Sequence, residues 1–369
     1  MGHIRRIKKV SRLAGAAATM ILATALIFSA YGGIADPMSS AKLSVLGLCF
    51  PVILVMALCV LVAWLCLRQW AIAAVVGVAL LASAGPILTL SPVNVGGGLD
   101  DADKPRSFKV LTYNVMNFSD YSEEGHLPNR TIDYILDVDA DIVCLQEAAQ
   151  ADRFDRCEFV IDRIGDIKAK YPYYYNEMGD QVLLSKYPFT YTGDSIDVNG
   201  RNKFLGFDVN MDGRHIKVFD CHLESIGLTE TDKDLYWKLT QLKKMRNMDD
   251  IEEVRETLMS KLAKAFRQRA IQAHALRGCI DRSGENVIVC GDFNDTPDSY
   301  AHRTVMGGDM SDAYQDCAFG PTITYHSNRF FFRIDHILYR GCFKAVDIER
   351  GKVNCSDHYP LIATFVFDE

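Results

Sequence analysis

The first 92 residues constrain the fold more than any other part of the chain, because they hold three long apolar segments. The segments run from about Leu13 to Ala35, from Leu43 to Leu67 and from Ala71 to Leu90, and none contains a charged residue. Each has the roughly 20 residues that a helix needs to cross a bilayer. The sequence therefore predicts a membrane domain with three transmembrane helices over residues 1–92.

The charges around these segments predict their orientation. Five Lys or Arg residues lie within the first twelve positions, which places the N-terminus in the cytoplasm. Three crossings then place the C-terminal part of the chain on the far side of the membrane. The first segment also resembles a signal peptide, with small residues around Gly33 and Ala35, and cleavage there would leave two spans and the same final side.

The rest of the chain is acidic and less apolar. Seven basic and two acidic residues precede residue 101, so 33 basic and 45 acidic residues remain and give a formal charge of about −12. A protein that follows long nucleic acid usually shows a basic stripe instead. A local basic cleft or a metal-bridged phosphate is still compatible with this charge. Gly and Asp are frequent over residues 93–103, which predicts a linker before a second domain over residues 104–369.

Short runs rich in β-branched residues predict the strands of this second domain. The clearest run, Val287–Cys290, leads directly into the turn Gly291–Asn294. The turn Asp212–Gly213 predicts a hairpin between two other strands. Helical periodicity over residues 232–277 predicts helices with a charged outer face. Strands and helices do not alternate strictly, and this order predicts two packed sheets with helices outside.

Polar residues stand where these predicted strands begin or end. Because neighbouring strands end at one edge of a sheet, we expect the polar side chains to converge on one site. They are Asn114, Glu147, His222, Asp292, Asn294, Asp335, Asp357 and His358. Glu147 offers the hard oxygen ligand that suits Mg²⁺ or Mn²⁺, and Asn114 can assist it. Carboxylates and imidazoles without an assigned serine or cysteine nucleophile predict metal-assisted attack of water on phosphorus.

Taken one at a time, the residues of this set also fit purely structural roles. His222 alone is more often a strand-end histidine with a structural hydrogen bond, and Glu147 alone is a common helix-start acid. Asp335 alone could pair with Arg333, two residues earlier. The remaining histidines are assigned to structural or surface roles: His126, His215, His274, His302, His326 and His336. The combination of eight polar residues favours one site over eight separate structural roles.

Six short motifs resemble those of the endonuclease/exonuclease/phosphatase superfamily, the deoxyribonuclease I-like proteins, and they occur in the family's order. They are Thr112-Tyr113-Asn114-Val115, Leu145-Gln146-Glu147, Cys221-His222-Leu223, Gly291-Asp292-Phe293-Asn294, Arg333-Ile334-Asp335-His336 and Ser356-Asp357-His358. The resemblance implies an α/β (α+β) fold, a four-layer α-β-β-α sandwich of two mixed sheets flanked by helices. Because three apolar segments precede these motifs, the chain is similar to membrane-tethered bacterial members of the family. We therefore expect a multi-pass inner-membrane protein whose catalytic domain is extracytoplasmic.

The resemblance also implies roles for the acidic and amide residues. Glu147 resembles the metal-binding glutamate, with Asn114 beside it. Asp357 resembles either a metal contact or a support for the site. Asp292 resembles the aspartate that aligns or deprotonates the attacking water, and Asn294 resembles the amide that holds the phosphate or the nucleophile.

The two histidines resemble phosphate-contacting residues. His222 resembles the histidine that hydrogen-bonds a phosphate oxygen, and His358 resembles a phosphate ligand or general acid that Asp335 orients. Abasic-site endonucleases carry a tyrosine at the position of His222. The deoxyribonuclease, sphingomyelinase and phosphatase branches therefore resemble this chain more.

The expected function is a membrane-tethered, Mg²⁺- or Mn²⁺-dependent phosphodiesterase or nuclease. One alternative is a phosphatase or phospholipase C-like enzyme that acts on inositol, sugar or lipid phosphates, and the acidic charge favours it slightly. Another is a non-catalytic binding domain on a membrane anchor, although the intact set of polar residues argues against it. The expected partners are a phosphate-ester substrate, which is a nucleic acid, a lipid head group or a small phosphate, and the membrane itself.

Overall fold

The computed structural model describes residues 2–118, 130–148, 163–176, 180–198, 201–227, 248–327 and 331–368. The chain divides into two compact units, Met1–Leu90 with Asp298–Tyr300, and Ser91–Pro297 with Ala301–Glu369. His126 and the first part of the predicted helical stretch, residues 232–247, lie outside the described residues.

The first unit is helical. It contains α1 (Gly2–Ala30), a short 3-10 helix (Gly32–Ile34), α2 (Pro37–Leu48), α3 (Phe50–Cys66), α4 (Trp70–Ala82) and α5 (Ala84–Leu90). Apolar side chains of α1, α3 and α4 pack together, including Leu26, Ala57 and Val76. Because almost every residue of these helices is apolar, the unit keeps many apolar side chains on its outer surface as well.

One stretch of this unit is long and apolar enough to cross a membrane, Lys9–Ile34, with a mean hydropathy of 2.0. The second and third predicted crossings are each broken, with α2 and α3 at 44° and α4 and α5 at 65°. Of the three predicted transmembrane helices, only the first is therefore found as one helix of sufficient length and apolarity, since three crossings require each bent pair to act as one span. Pro51 and Pro86 lie in the first turns of α3 and α5, where a proline cannot extend a preceding helix.

The described part of the second unit holds twelve strands in two sheets. They are β1 (Ser107–Asn114), β2 (Ile142–Gln146), β3 (Tyr173–Tyr175), β4 (Val182–Ser185), β5 (Phe189–Val198), β6 (Arg201–Met211), β7 (Arg214–His222), β8 (Val287–Asp292), β9 (Ser311–Asp312), β10 (Asp335–Arg340), β11 (Phe343–Arg350) and β12 (Leu361–Phe367). The strand orders are β11-β12-β1-β2-β4-β3 and β5-β6-β7-β8-β10-β9. Each sheet has one parallel pair, β1 with β2 and β7 with β8, among antiparallel neighbours. The prediction of two mixed sheets is confirmed.

Helices cover the outer face of each sheet. They are α6 (Arg130–Val138), α7 (Ile164–Lys170), α8 (Met248–Arg282) and α9 (Tyr300–Met306). The short helix α10 (Ala313–Cys317) instead packs Ala313 and Tyr314 against the core between the sheets. One apolar cluster, with Val110 and Phe207, lies between the two sheets. A second cluster joins the first sheet to α6 through Ile135, and a third joins the second sheet to α8 and α9 through Leu276 and Val305. These clusters separate helix, sheet, sheet and helix layers.

A two-residue turn joins β6 to β7. Met211 pairs with Arg214, and the two residues between them, Asp212 and Gly213, have φ angles of 54° and 89°. Positive φ at both positions is the geometry that a tight hairpin requires, and Asp-Gly favours it. The predicted hairpin is confirmed.

The strand register brings the polar strand ends to one edge of the sandwich. Asn114 pairs with Gln146 at the ends of β1 and β2, and His222 pairs with Asp292 at the ends of β7 and β8. Asp335 also pairs with Asp292, because β10 starts antiparallel to the end of β8. Both parallel pairs thus end where the polar residues stand.

Gly291 allows β7 and β8 to approach closely just before this edge. Its φ is 135°, a conformation that other residues rarely adopt. A side-chain carbon at this position would lie 2.0 Å from the carbonyl oxygen of Cys221. The glycine is therefore required for the strand pairing that places Asp292 beside His222.

Candidate functional site

Asp292 lies at the centre of the polar residues and connects the two sheets. Its side chain is 1% exposed, and its Oδ2 accepts a hydrogen bond of 3.1 Å from Nδ2 of Asn114. The same amide nitrogen donates to Oε1 of Glu147, also at 3.1 Å. One amide of the first sheet therefore holds a carboxylate from each sheet.

Two carboxylate–imidazole pairs face Asp292. Nδ1 of His222 lies 3.0 Å from Oδ2 of Asp180, and Nδ1 of His358 lies 2.8 Å from Oδ2 of Asp335. The opposite ring nitrogens, both Nε2, lie 4.0 Å and 3.6 Å from Oδ2 of Asp292. The paired carboxylates orient both rings so that their free N–H groups point to the same small volume.

Both imidazoles carry a positive charge near neutral pH. Burial alone would lower the pKa of His222, but its hydrogen bond and charge attraction to Asp180 raise that pKa to about 9. Burial likewise opposes the charge on His358, whereas Asp335 and Asp292 raise its pKa to about 10. The pKa of Asp292 is raised by burial, while the charge of His358 opposes the rise. The site thus combines two cationic donors with a carboxylate that accepts a proton more readily than a free one.

The structure places Asn294 and Asp357 at the rim of this arrangement. The backbone N–H of Asn294 donates to Oδ1 of Asp292 at 2.7 Å, and its side-chain nitrogen donates to the carbonyl of Leu223 at 3.1 Å. The hydroxyl of Ser356 donates to the Asn114 carbonyl at 2.7 Å, and Oδ1 of Asp357 lies 3.3 Å from the same hydroxyl oxygen. All eight predicted residues therefore lie around the end of the sandwich at which these strands begin or end.

Oxygen atoms suited to a hard divalent cation are present. The side chain of Glu147 is 34% exposed and approachable, and Oδ1 of Asp335 is buried without a hydrogen-bond partner in the described part of the chain. Asp292, Asp335 and His358 offer ligand atoms within 4.8 Å of one another. Nδ1 of His358 and one oxygen of Asp335 are already hydrogen-bonded to each other, whereas the carboxylate of Glu147 is the solvent-exposed one. The donor chemistry therefore favours Glu147, with Asn114 beside it, as the cation-holding side of the site.

A second His/Asp group consists of Asp312 and His336, in β9 and β10 of the second sheet, and His302 of α9. Arg333 donates to Oδ2 of Asp312 at 3.0 Å, and Nε2 of His302 lies 3.3 Å from the same oxygen. The guanidinium already neutralises this carboxylate, so the group is a structural network. The alternative pairing of Arg333 with Asp335 is wrong, because Asp335 contacts His358 while Arg333 contacts Asp312.

Sequence reasoning missed Asp180, the partner of His222. The residue stands two positions before β4, and β4 runs antiparallel to β2. The start of β4 therefore lies at the same edge as the end of β2. The sequence shows only that Asp180 is a polar residue near the start of a strand. This observation points to the site only once β4 is known to pair with β2, which ends beside Glu147.

Two packed mixed sheets with helices outside and a polar site at the strand ends make this protein an α/β sandwich. A family model described as Endonuclease/Exonuclease/phosphatase family matches residues 111–358. The chain belongs to this family. A second model, described as Domain of unknown function (DUF8431), matches residues 11–90.

Solved structures with a similar fold come from several organisms. The endonuclease/exonuclease/phosphatase from Beutenbergia cavernae DSM 12333 has 16% identity and a TM-score of 0.46, over 71% of this chain and 72% of that one. Humanized D. rerio TDP2 has 16% identity and a TM-score of 0.46, and the match covers 70% of this chain and 99% of that chain. Sphingomyelinase C from Streptomyces griseocarneus has 17% identity and a TM-score of 0.42, over 70% and 99%. A search of curated proteins found no match.

Proposed function

We propose that the second unit is a divalent-metal-dependent phosphoesterase, of the phosphodiesterase or nuclease type. The observation that carries this proposal is the convergence of two cationic imidazoles and one buried carboxylate on a single volume. A phosphoryl group needs donors for its anionic oxygens, and attack by water needs a nearby proton acceptor. His222 and His358 supply the donors, and Asp292 supplies the acceptor.

Glu147, assisted by Asn114, would hold Mg²⁺ or Mn²⁺, and Asp357 would contact the metal or support the site. When bound, the cation stabilises negative charge on the phosphoryl oxygens and on the leaving oxygen. The approachable carboxylate of Glu147 at the mouth of the site supports this assignment.

The chain's own residues then perform the proton transfers. Asp292 takes a proton from water as the water oxygen forms its bond to phosphorus. The N–H groups of His222 and His358 bind phosphoryl oxygens, and His358 can pass its proton to the departing oxygen while Asp335 orients the ring. The side-chain amide of Asn294 donates one of its two protons to the carbonyl of Leu223, so the second proton can be donated to a phosphate oxygen.

Hydrolysis of bis-(p-nitrophenyl) phosphate tests this proposal directly. We expect the full chain in detergent to release p-nitrophenol with Mg²⁺ or Mn²⁺, and we expect EDTA to abolish the release reversibly. Glu147→Gln should raise the metal concentration needed for half-maximal rate by about 10- to 100-fold. The matched control Glu349→Gln, in β11, should behave like the parent. Full activity in EDTA would refute the metal-dependent mechanism.

A second candidate is a phosphatase or phospholipase C-like enzyme for inositol, sugar or lipid phosphates. The apolar helix of the first unit and the acidic second unit favour it, since both disfavour long DNA as a substrate. A panel of duplex DNA, RNA, sphingomyelin, inositol phosphates and sugar phosphates separates the candidates. Binding of one of these without turnover would indicate the non-catalytic alternative.

Asp180→Asn tests the carboxylate that orients His222. Asp180 is the largest influence that opposes burial at His222, ahead of Asp292 and Glu147, so the pKa of His222 should fall from about 9 when the carboxylate is removed. We expect about a 10- to 100-fold loss of kcat, with the alkaline limb of the pH–rate profile moved to lower pH. Asp208→Asn is the matched control, because Asp208 makes the same 3.0 Å contact to a surface imidazole, His215. Equal profiles for both variants would remove Asp180 from the site.

We further propose that residues 1–92 anchor residues 104–369 to a bacterial inner membrane. The Lys9–Ile34 helix supports the anchor, and the basic N-terminus supports a cytoplasmic start. With three crossings, the catalytic unit is extracytoplasmic. A membrane-impermeant, amine-reactive label applied to intact cells tests the extracytoplasmic location, because it should modify exposed lysines of the catalytic unit. Modification of these lysines only after lysis would contradict that location.

A further inference from the structure

The stretch predicted as a linker is hydrogen-bonded to the second unit. The N–H of Gly320 donates to the carbonyl of Pro92 at 2.7 Å, and the N–H of Asn94 donates to the carbonyl of Ala318 at 3.2 Å. The side chain of Asn94 donates to the carbonyls of Gln315, at 2.7 Å, and of Ala318, at 3.0 Å. Residues 92–94 are therefore held against the segment that follows α10.

Further along, the same stretch contacts β11. The N–H of Gly98 donates to the carbonyl of Val346 at 3.0 Å. Together with the bonds of Pro92 and Asn94, this contact holds residues 92–98 at both ends. The chain that leaves α5 is thus part of the second unit within two residues of Leu90.

This held stretch presents an apolar patch made of Val93, Val95 and Phe319. Val93 and Phe319 face each other in an antiparallel bridge, so their side chains lie on the same face. The exposed fractions are 62% for Val93, 87% for Val95 and 71% for Phe319. Single exposed apolar residues are common, but a directly paired valine and phenylalanine next to a third apolar side chain form a local patch.

Covalent reach limits how far this patch can lie from the apolar helices. Leu90 ends α5, and only three peptide steps separate it from Val93. A fully extended chain covers at most about 3.6 Å per residue, so the two Cα atoms are within about 11 Å of each other. That distance is comparable to the headgroup layer on one side of a bilayer, which is about 5–8 Å thick. If α5 stays with the membrane, Val93 lies at or beside the headgroup layer.

We propose that the patch of Val93, Val95 and Phe319 inserts into the lipid headgroup region and seats the catalytic unit on the bilayer surface. The inference rests on the membrane anchoring proposed above. Phenylalanine and aliphatic side chains are the residues that surface-bound segments bury at the boundary of headgroups and acyl chains. Residues 92–98 do not act as a free linker in this arrangement, because they are hydrogen-bonded to the catalytic unit. Its substrates are those that reach the membrane surface.

Depth-dependent fluorescence quenching tests this inference on the full chain. Phe319→Trp and Val95→Trp place a probe at two exposed positions of the patch, and Tyr173→Trp, 41% exposed in β3, is the matched control. Each protein is placed in nanodiscs of phosphatidylcholine and phosphatidylglycerol, with or without lipids brominated near the headgroup end of the acyl chain. The fluorescence of the parent, with its three native tryptophans, is subtracted.

We expect the added emission of Phe319→Trp and Val95→Trp to be blue-shifted and quenched at least about twofold by the brominated lipids, as for an interfacial tryptophan. The added emission of Tyr173→Trp should be unchanged. Trp64 and Trp70 belong to the apolar segments, so quenching of the parent reports on the anchor itself. If the parent fluorescence is quenched but the added fluorescence of Phe319→Trp and Val95→Trp is not, the patch does not insert into the headgroup region. An unquenched parent would instead overturn the membrane anchoring.

Discussion

Asp292→Asn is expected to lower kcat for phosphodiester hydrolysis by about 10²- to 10⁴-fold, the range attributed to a positioned general base. The amide has nearly the same shape as the carboxylate and can still accept the hydrogen bond from Asn114. It cannot take a proton from water, and it removes the charge that faces His222 and His358. The measurement is the steady-state rate on bis-(p-nitrophenyl) phosphate at saturating Mg²⁺. A rate within about threefold of the parent would contradict the role of Asp292 as general base.

Asp220→Asn is the matched control for this substitution. Asp220 is also fully buried, in the neighbouring strand β7, and its Oδ1 accepts a bond of 2.6 Å from Nε2 of Gln146. Burial raises the pKa of Asp220 well above its ordinary value, and an amide has nearly the same shape as the carboxyl group and can accept the same hydrogen bond from Gln146. We expect this variant to keep the parent rate within a few-fold. Equal losses in both variants would indicate a general effect on folding.

Arg333→Met is expected to lower the free energy of unfolding by about 3–5 kcal/mol, as when one partner of a buried ion pair is removed. Arg333 is 2% exposed and Asp312 is 1% exposed, so no solvent replaces the lost guanidinium. The pKa of Asp312 is held below its usual range: burial would raise it, but the charge of Arg333 outweighs that effect. Removing that charge leaves a buried carboxylate that keeps His302 and the neutral N–H donors of Tyr314 and Gln315 but loses its guanidinium partner.

Urea unfolding of the full chain in detergent, followed by near-ultraviolet circular dichroism, measures this effect. Arg282→Met, at an exposed position on α8, is the control and should change the unfolding free energy by less than about 0.5 kcal/mol. Adding Asp312→Asn to Arg333→Met should restore part of the lost stability, because both buried charges are then absent. A single Arg333→Met variant as stable as the parent would show that the pair does not stabilise the fold.

Local chemistry accounts for the parts of the fold that were predictable from sequence. The hairpin at Asp212 and Gly213 follows from two residues that tolerate positive φ. The run Val287–Cys290 is a strand because its side chains are β-branched or small and are all buried. The breaks in the second and third apolar segments were also signalled locally, by Pro51 and Pro86, but segment length alone does not reveal them.

The contacts of the site depend on residues that are distant in the chain. Asn114 and Asp292 are 178 positions apart, yet one hydrogen bond joins them across the two sheets. The choice of Asp312 and not Asp335 as the partner of Arg333 depends on the pairing of β9 with β10. Asp180 joins the site because β4 lies beside β2. Strand neighbours of this kind cannot be read from the residues themselves.

The apolar N-terminal segments, the strands and the polar residues at their ends are readable from the sequence, since they depend on periodicity and turn chemistry within a few neighbouring positions. The tertiary structure brings these strand ends together, because strand order and register depend on packing between distant segments. It also decided the protonation of His222 and His358, since their pKa values depend on burial and on Asp180 and Asp335. The kinds of chemical group were thus encoded locally, and their arrangement into a site was encoded by the fold.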